Sequence, residues 1–360
     1  MKIAIDLTSL SYHITGIERY ALCVSEKMIM LDSENEYILI FRNEVYPVFK
    51  KLVDNARVKA VILTGNNKLL FYQIVLPFNL YRIRADRYLF FAFTSPILFR
   101  RSGIINTIHD MGPWDASEAL KFLQKVYLKT TCFFSAKASK KIITVSQFSK
   151  NRISEILNIS SDLINVIPSA VYEGVLKGHA GSFNEVKGKY GIPDTYIMTL
   201  STLEPRKNME MLLRAFDEIQ DRVGYDLVLV GRKGWKMDEV IEKYNKKNRI
   251  HITGFVSDED VSLIYKNAMC FVFPSLYEGF GLPPVEALAL GTPVLSSDAA
   301  SLPEVLREQA TYFINRDIDD LKRKLSQLEI DVKEMPRCLD EYQKQTYSFD
   351  TAAMKVLAIL

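Results

Sequence analysis

The sequence predicts an α/β protein made of two doubly wound, Rossmann-like domains, and three observations carry that expectation. Apolar runs of strand length alternate with segments of helical period along the whole chain. Glycine, proline or capping residues stand where a run gives way to the next helix. A chain of 360 residues is also long for one core, so two domains are the natural division. The boundaries expected are 1–170 for the first domain and 171–346 for the second.

Composition bounds the function classes. The chain is 48% hydrophobic and 25% charged, as in a soluble globular protein, and its net charge of +3 argues against wholesale nucleic-acid binding. The charge is uneven: 14 Lys and Arg face 4 Asp and Glu between Lys68 and Arg152, a local +10 that leaves −7 elsewhere. Cys23, Cys132, Cys270 and Cys338 are scattered without a C-x-x-C pair, and three lie in apolar surroundings that predict buried thiols and fit a reducing compartment. The start MKIAIDL goes directly into a strand pattern, and no stretch of about 20 residues is free of charge and breakers. A cytoplasmic location follows, with contact at a membrane surface left open.

Taken in order, Lys2–Leu7 reads as the first parallel strand and Ile17–Leu31 as an amphipathic helix, with Thr15 and Gly16 in the turn between them. A glycine there admits a close backbone or phosphate. Further strand and helix candidates follow at Tyr37–Phe41, Val45–Val53, Val58–Leu63 and Lys68–Phe78. From Phe71 to Arg101 aromatics interleave with Arg82, Arg84, Arg87, Arg100 and Arg101. Most of these apolar residues belong in the core, while arginines beside exposed aromatics would suit a membrane interface. Lys121, Lys125 and Lys129 form a stripe on a predicted helix, either a solvated face or an attraction for anionic headgroups.

Ile104–Ile108 is a short strand ending at His109-Asp110, which places His109 at a strand's carboxyl end. Ile142–Val145 followed by Ser146-Gln-Phe-Ser149 reads as strand, N-cap and helix. Ser169–Pro193 is an interdomain connection with a helix near Asn184–Tyr190. The strand Tyr196–Ser201 then leads through Thr202-Leu203-Glu204-Pro205-Arg206-Lys207-Asn208 into a helix capped by Asn208. Arg206 and Lys207 thus stand before a helix N-terminus, where cations and dipole together suit a diphosphate. Asp226–Gly231 and Ile250–Val256 are two more strand-to-turn units, the second ending in Gly254-Phe255-Val256. The D-x-D strings at Asp258 and Asp317 open helices, where acids complement the dipole, so no metal site is expected.

The stretch Phe273–Val294, FPSLYEGFGLPPVEALALGTPV, organises the second half. Its strand breaks at Pro274-Ser275, its loop carries Glu278, Gly279, Phe280 and Gly281, and Leu282-Pro283-Pro284 begins a helix running to about Leu290. Glu278 and Glu286 are eight apart, in the loop and in the helix's first turn, so both carboxylates could meet the hydroxyls of one ligand.

This string resembles the E-x7-E signature of the family 4 retaining glycosyltransferases, or glycosyl transferases group 1, which have the GT-B fold. The runs G-I-E-R at Gly16, T-I-H-D at His109, E-P-R-K-N at Glu204 and S-S-D-A-A-S-L-P-E-V near Asp298 occur in the family's order from end to end. The resemblance implies two Rossmann-like domains facing a central cleft, acceptor-binding first and nucleotide-sugar-binding second, with a last helix (347–360) crossing back to the first. It implies that Arg206 and Lys207 stabilise the departing diphosphate, that Glu278 holds donor-sugar hydroxyls, Glu286 the ribose, and that His109 contacts the sugar. Gly16 would lie beside the diphosphate, and the backbone of Gly254, Phe255 and Val256 would read the base, with Gly279, Phe280, Gly281 and Leu282 completing the donor site. Some members carry an arginine where this chain has Ser201, which passes the second positive charge to Arg206. No cofactor is then required. The donor is a nucleotide sugar, GDP-mannose favoured with a UDP-sugar open, and the acceptor a lipid-linked or oligosaccharide chain of surface-polysaccharide assembly. A nucleotide-sugar 2-epimerase and a non-catalytic binding subunit are the alternatives; loss of His109, Lys207 or Glu278 would mark the latter, and all three are present.

Overall fold

A computed structural model describes residues 1–10, 15–117, 121–178, 181–202, 204–231, 238–244 and 249–360. Among them the chain forms two compact units, the first taking in Met1–Trp114, 121–170 and Gln345–Leu360, the second 115–117 and Val171–Lys344.

The first unit has a seven-stranded parallel sheet: β1 (Lys2–Asp6), β2 (Glu36–Arg42), β3 (Val58–Leu63), β4 (Arg87–Phe90), β5 (Ile104–Thr107), β6 (Lys141–Thr144) and β7 (Ile164–Val166). Their spatial order is β3-β2-β1-β4-β5-β6-β7. Strands buried on both faces need continuous apolar runs, and IAID, YLF and IIT supply them. The chain winds outward from β1 in one direction, then restarts at β4 and winds in the other, so the loops after β1 and β4 flank a topological switch point. The helix Gly16–Leu31 packs against the last helix, Phe349–Ala358, with Lys27 Nζ 3.2 Å from Asp350 Oδ1.

The second unit repeats the design with six parallel strands: β8 (Tyr196–Leu200), β9 (Asp226–Val230), β10 (Ile250–Gly254), β11 (Cys270–Phe273), β12 (Val294–Ser297) and β13 (Thr311–Phe313), in the order β10-β9-β8-β11-β12-β13. Its switch point lies between β8 and β11. The helix Met209–Ile219 buries Met209, Leu212, Leu213, Phe216 and Ile219 on the sheet, the amphipathic stripe its sequence predicts. Cys23, Cys132 and Cys270 are buried free thiols and Cys338 is exposed.

Three local expectations are corrected. Val45–Val53 forms neither strand nor long helix but two short 3-10 turns, Pro47–Phe49 and Leu52–Asp54, because Pro47 and the polar Lys50-Lys51 pair interrupt the apolar run. Thr15 and Gly16 are not a free turn: the helix begins at Gly16, and the Glu18 carboxylate accepts from Thr15 N–H at 2.7 Å, reaching back as in a capping box. Asn208 stands at the N-cap position as expected, but in the left-handed conformation (φ 54°) and with no side-chain capping bond, since Pro205–Lys207 already forms a 3-10 turn that aims the chain. Leu203 of that motif lies outside the described residues.

Gly231, at the end of β9, has φ +144°, and a Cβ there would stand 1.8 Å from the Ser201 carbonyl oxygen. Glycine is therefore required for β8 and β9 to close at their carboxyl ends. Gly188, inside the helix Phe183–Tyr190, has open space around its Cβ position. Gly231→Ala should cost at least about 2 kcal/mol, whereas Gly188→Ala should gain about 0.5–1 kcal/mol from helix propensity. Urea unfolding of the two variants checks the opposite signs.

Candidate functional site

The switch point of the second sheet sets two loops side by side, 201–208 after β8 and 274–281 after β11, and these carry the cations and the first glutamate of the sequence motifs. Backbone bonds join the loops. Leu276 N–H donates to Arg206 O at 2.9 Å, and Arg206 Nη1 donates to Tyr277 O at 3.0 Å. Lys207 Nζ donates to Glu278 Oε1 at 2.6 Å, and Arg206 Nη1 lies 3.5 Å from Glu278 Oε2. Lys207 also stands 5.5 Å from the centre of the Phe273 ring. The cation and the acid singled out from the sequence thus touch one another, close enough to meet a common small molecule.

Glu278 is only 7% exposed. Burial would raise its carboxyl, but the charges of Lys207 and Arg206 prevail and hold it below the usual carboxylate range. Ser275 Oγ donates to Glu278 Oε1 at 2.6 Å, Ser301 Oγ donates to Glu278 O at 3.0 Å, and Ser297 Oγ donates to Ser275 O at 2.6 Å. These serines fix the carboxylate before any ligand arrives. The sequence reading gave none of the three a supporting role, although Ser275 precedes the motif glutamate by three residues and Ser297 ends a strand beside it.

The loop ends at Gly281, whose φ of +86° turns the chain into the helix Leu282–Ala289 with Pro283 and Pro284 in its first turn. Because the helix starts at Leu282, Glu286 is its fifth residue and lies in the second turn, not the first as expected. Dipole compensation therefore accounts poorly for a carboxylate that is buried at 6% exposure. Gly279 and Phe280 are buried as well. Gly254 closes β10 with Gly231 N–H donating to its carbonyl at 2.9 Å; Phe255 is exposed and Val256 buried. Ser201 Oγ is buried at the end of β8 and finds no hydrogen-bond partner among the described residues.

Both D-x-D strings serve as helix starts. Ser257 Oγ accepts from Asp260 N–H, while the Asp317 carboxylate itself caps by accepting from Asp319 and Asp320 N–H. Asp260 does more than complement a dipole, since it binds Lys189 Nζ at 2.7 Å and Tyr190 Oη at 2.8 Å.

In the first unit His109 follows β5 and its Nε2 lies 2.8 Å from the Phe91 carbonyl, after β4. Tyr20 meets the imidazole edge to face at 5.3 Å. Burial lowers its pKa against the opposing pull of Phe91 O and Asp110, so the ring is neutral, donates through Nε2 and leaves Nδ1 as an acceptor. Ser146 caps the next helix as expected, accepting from Ser149 N–H at 3.1 Å, and Ser149 Oγ in turn donates to His109 O at 3.2 Å. The sequence reading missed Asp6, at the end of β1 beside the switch point. Its buried carboxyl is pushed up by desolvation despite bonds from Thr8 Oγ1 (2.7 Å) and Tyr72 Oη (3.2 Å). An acid ending a strand was its only signal.

Comparison with known proteins gives this arrangement its class. Residues 182–346 match the family Glycosyl transferases group 1. That region is similar to the family, and the two parallel-sheet units have the GT-B fold of the solved glycosyltransferases they resemble. It is similar to O-antigen chain mannosyltransferase B of Escherichia coli, 28% identical over 346 residues that cover 91% of this chain and 90% of that protein. It is 36% identical over 193 residues to the serotype-specific mannosyltransferase WbdA of Escherichia coli, which covers 51% of this chain and only 23% of WbdA. Among solved structures, Anabaena Alr3699/HepE in complex with UDP and glucose superposes with a TM-score of 0.74 at 15% identity, over 100% of this chain and 99% of that one.

Two measurements test the site. Glu278→Gln leaves Lys207 facing a neutral group while Arg206 keeps Glu204 at 3.0 Å, and Lys207→Met leaves the buried carboxylate short of its main partner; each should cost about 3 kcal/mol. The double variant should recover part of that loss, a coupling that a double-mutant cycle by denaturant unfolding reads directly. For His109, the unfolded imidazole takes a proton near pH 6.5 that the buried one refuses. Stability should therefore fall as pH drops below about 6.5, by up to about 1.4 kcal/mol per unit, and His109→Gln should flatten that slope.

Proposed function

We propose that the chain is a retaining, metal-independent hexosyltransferase that moves mannose from GDP-mannose to a lipid-linked or oligosaccharide acceptor during surface-polysaccharide assembly at the cytoplasmic face of a membrane. The observation that carries this reading is the buried Glu278 carboxylate held ionised by Lys207 and Arg206 at the carboxyl ends of β8 and β11. The names of the mannosyltransferase relatives support mannose as the sugar.

In this reading Lys207 and Arg206 take over the charge that develops on the departing nucleoside diphosphate, the work a divalent ion does in other transferases. Two fixed cations in a buried site cost no reorganisation as the bond breaks. Glu278 accepts from donor-sugar hydroxyls and Glu286 from the ribose. N–H groups from Gly279 to Leu282 and the backbone of Gly254, Phe255 and Val256 hold the nucleotide, and Gly16 allows close approach beside the diphosphate. His109 is the group we assign from the first unit, a neutral imidazole whose Nδ1 accepts from the sugar. The carboxylate nearest the cations is already bound to Lys207 and Ser275 through Oε1, which makes it a weak nucleophile. We therefore assign retention to departure and attack on the same face of the sugar, with water excluded to limit donor hydrolysis.

A UDP-sugar is the second reading for the donor, favoured by the likeness to a fold solved with UDP and glucose. Thermal unfolding with GDP, GDP-mannose, UDP and UDP-glucose separates the two. A ligand at about 100 times its Kd adds about 2.7 kcal/mol to the native state. The guanine pair should raise Tm and the uracil pair leave it unchanged; the reverse pattern would reassign the donor. With the preferred donor, transfer that persists in excess EDTA and yields the α-product from an α-linked donor would bear out the chemistry.

A further inference from the structure

The strongly basic stretch of the first unit carries a second feature that transfer of a sugar does not use. The helical segment 68–82 is apolar on both sides. Its inner side places Phe71, Leu76 and Leu80 in a core with Tyr88, Phe90 and Phe99. Its outer side leaves Leu70, Ile74 and Phe78 more than half exposed. A surface helix ordinarily has one apolar stripe; one that is apolar all round needs a second apolar environment.

The neighbouring helix Phe122–Ala138 begins in the same way, with Phe122 and Leu123 at 77% and 79% exposure. The two helices form one surface. Gln73 Nε2 donates to Tyr127 Oη at 3.0 Å, while Gln73 Oε1 accepts from Ile97 N–H at 3.0 Å in the loop that both helices touch. Arg100 Nη1 reaches the Phe134 carbonyl at 3.4 Å from that same loop. Charge lies among the exposed rings. The Arg82 guanidinium stacks over Phe78 at 4.1 Å, the exposed Arg84 follows, Lys121 stands just before the second helix and Lys125 lies on it, with Lys129 drawn to the Trp114 ring at 5.2 Å. Arg87 takes no part, being spent on the Leu360 carbonyl.

We infer that this face docks on an anionic lipid bilayer, with Phe78, Phe122 and Leu123 entering the headgroup boundary and the arginines and lysines meeting phosphates. The inference deepens the proposed function, resting on its lipid-linked acceptor, and names where the membrane is met. Exposed aromatics capped by guanidinium groups suit the boundary between water and acyl chains, where an apolar body and a charged end are both satisfied. The local +10 supplies the long-range attraction. A second copy of the chain fits less well, because a two-fold contact would press the same cations together. No described helix is long and apolar enough to cross a membrane, so the contact is peripheral.

Co-sedimentation of the full chain with phosphatidylcholine vesicles, with and without about one-third phosphatidylglycerol, tests this without donor or acceptor. Binding should require the anionic lipid and weaken between about 0.1 M and 1 M salt. Phe122→Ser/Leu123→Ser should cut the bound fraction at least about fivefold, and Arg82→Gln/Arg84→Gln should do so chiefly at low salt. Unchanged Tm and unchanged nucleotide-induced stabilisation in both variants keep the result free of misfolding. Absence of binding at low salt, equal binding by the variants, or self-association that Phe122→Ser/Leu123→Ser abolishes would overturn the inference. Loss of the nucleotide response with vesicle binding intact would instead count against the proposed function alone.

Discussion

One buried charge cluster governs the second unit. Glu278, Lys207 and Arg206 come from loops 71 and 72 positions apart in sequence, yet they meet because β8 and β11 are neighbours in the sheet and both strands point their carboxyl ends at the same place. Burying three ions is at best neutral for stability, since each loses its hydration and recovers it only through near-ideal partners. The partners are Ser275 Oγ on Glu278, and the Tyr277 carbonyl and the Glu204 carboxylate (3.0 Å) on Arg206, while Ser297 and Ser301 hold backbone carbonyls of the same loop. An apolar cluster of the same volume would hold the loops together at least as well. The persistence of ions here is best explained by a task that needs fixed charge.

The first unit follows the same topology and reaches a different electrostatic result. Beside its switch point, between β1 and β4, stand a neutral His109 anchored on Phe91 O and a buried Asp6 whose carboxyl desolvation pushes above its ordinary range. Neutral acceptors and donors bind hydroxyls without the desolvation cost that ions incur. A diphosphate calls for the chemistry of the second unit, whereas sugar hydroxyls are served by either. The division of labour proposed above follows from this contrast in charge.

Much of this was legible in the sequence, for physical reasons that differ by residue. Central strands of parallel sheets are nearly continuous apolar runs, so most of them could be read, though β4, β7, β12 and β13 were not, and the Gly-Leu-Pro-Pro start of the helix at Leu282 could be read because proline and glycine have few other places to go. Glu278 and Lys207 were found through their motifs. Their direct contact was not, because spacing along the chain says nothing of strand order, which must be known to bring β8 beside β11. The supporting serines escaped notice for a related reason: a serine is ordinary in any loop, and only its partner reveals its role. Where the reading failed, at Asn208, Gly16 and Val45–Val53, local geometry overrode local preference. A 3-10 turn ahead of Asn208 and a glutamate reaching back to Thr15 each replaced the cap or turn that single residues suggested.

The exposed apolar residues of the first unit expose a limit of periodicity itself. In 68–82 and 122–138 the same residue types recur at helical spacing on inner and outer faces, and the pattern cannot say which face the fold will cover. Charge separates the two cases. Inner positions of the two segments carry no cation of their own, though Arg42 reaches the Phe71 ring from β2, whereas the outer ones stand beside exposed arginine, as with the Arg82 guanidinium over Phe78. Interleaved cations therefore mark the part of an apolar run that the protein's own folding leaves uncovered, and the concentration of that signature in one unit of a chain with a net charge of only +3 makes it a property of a surface.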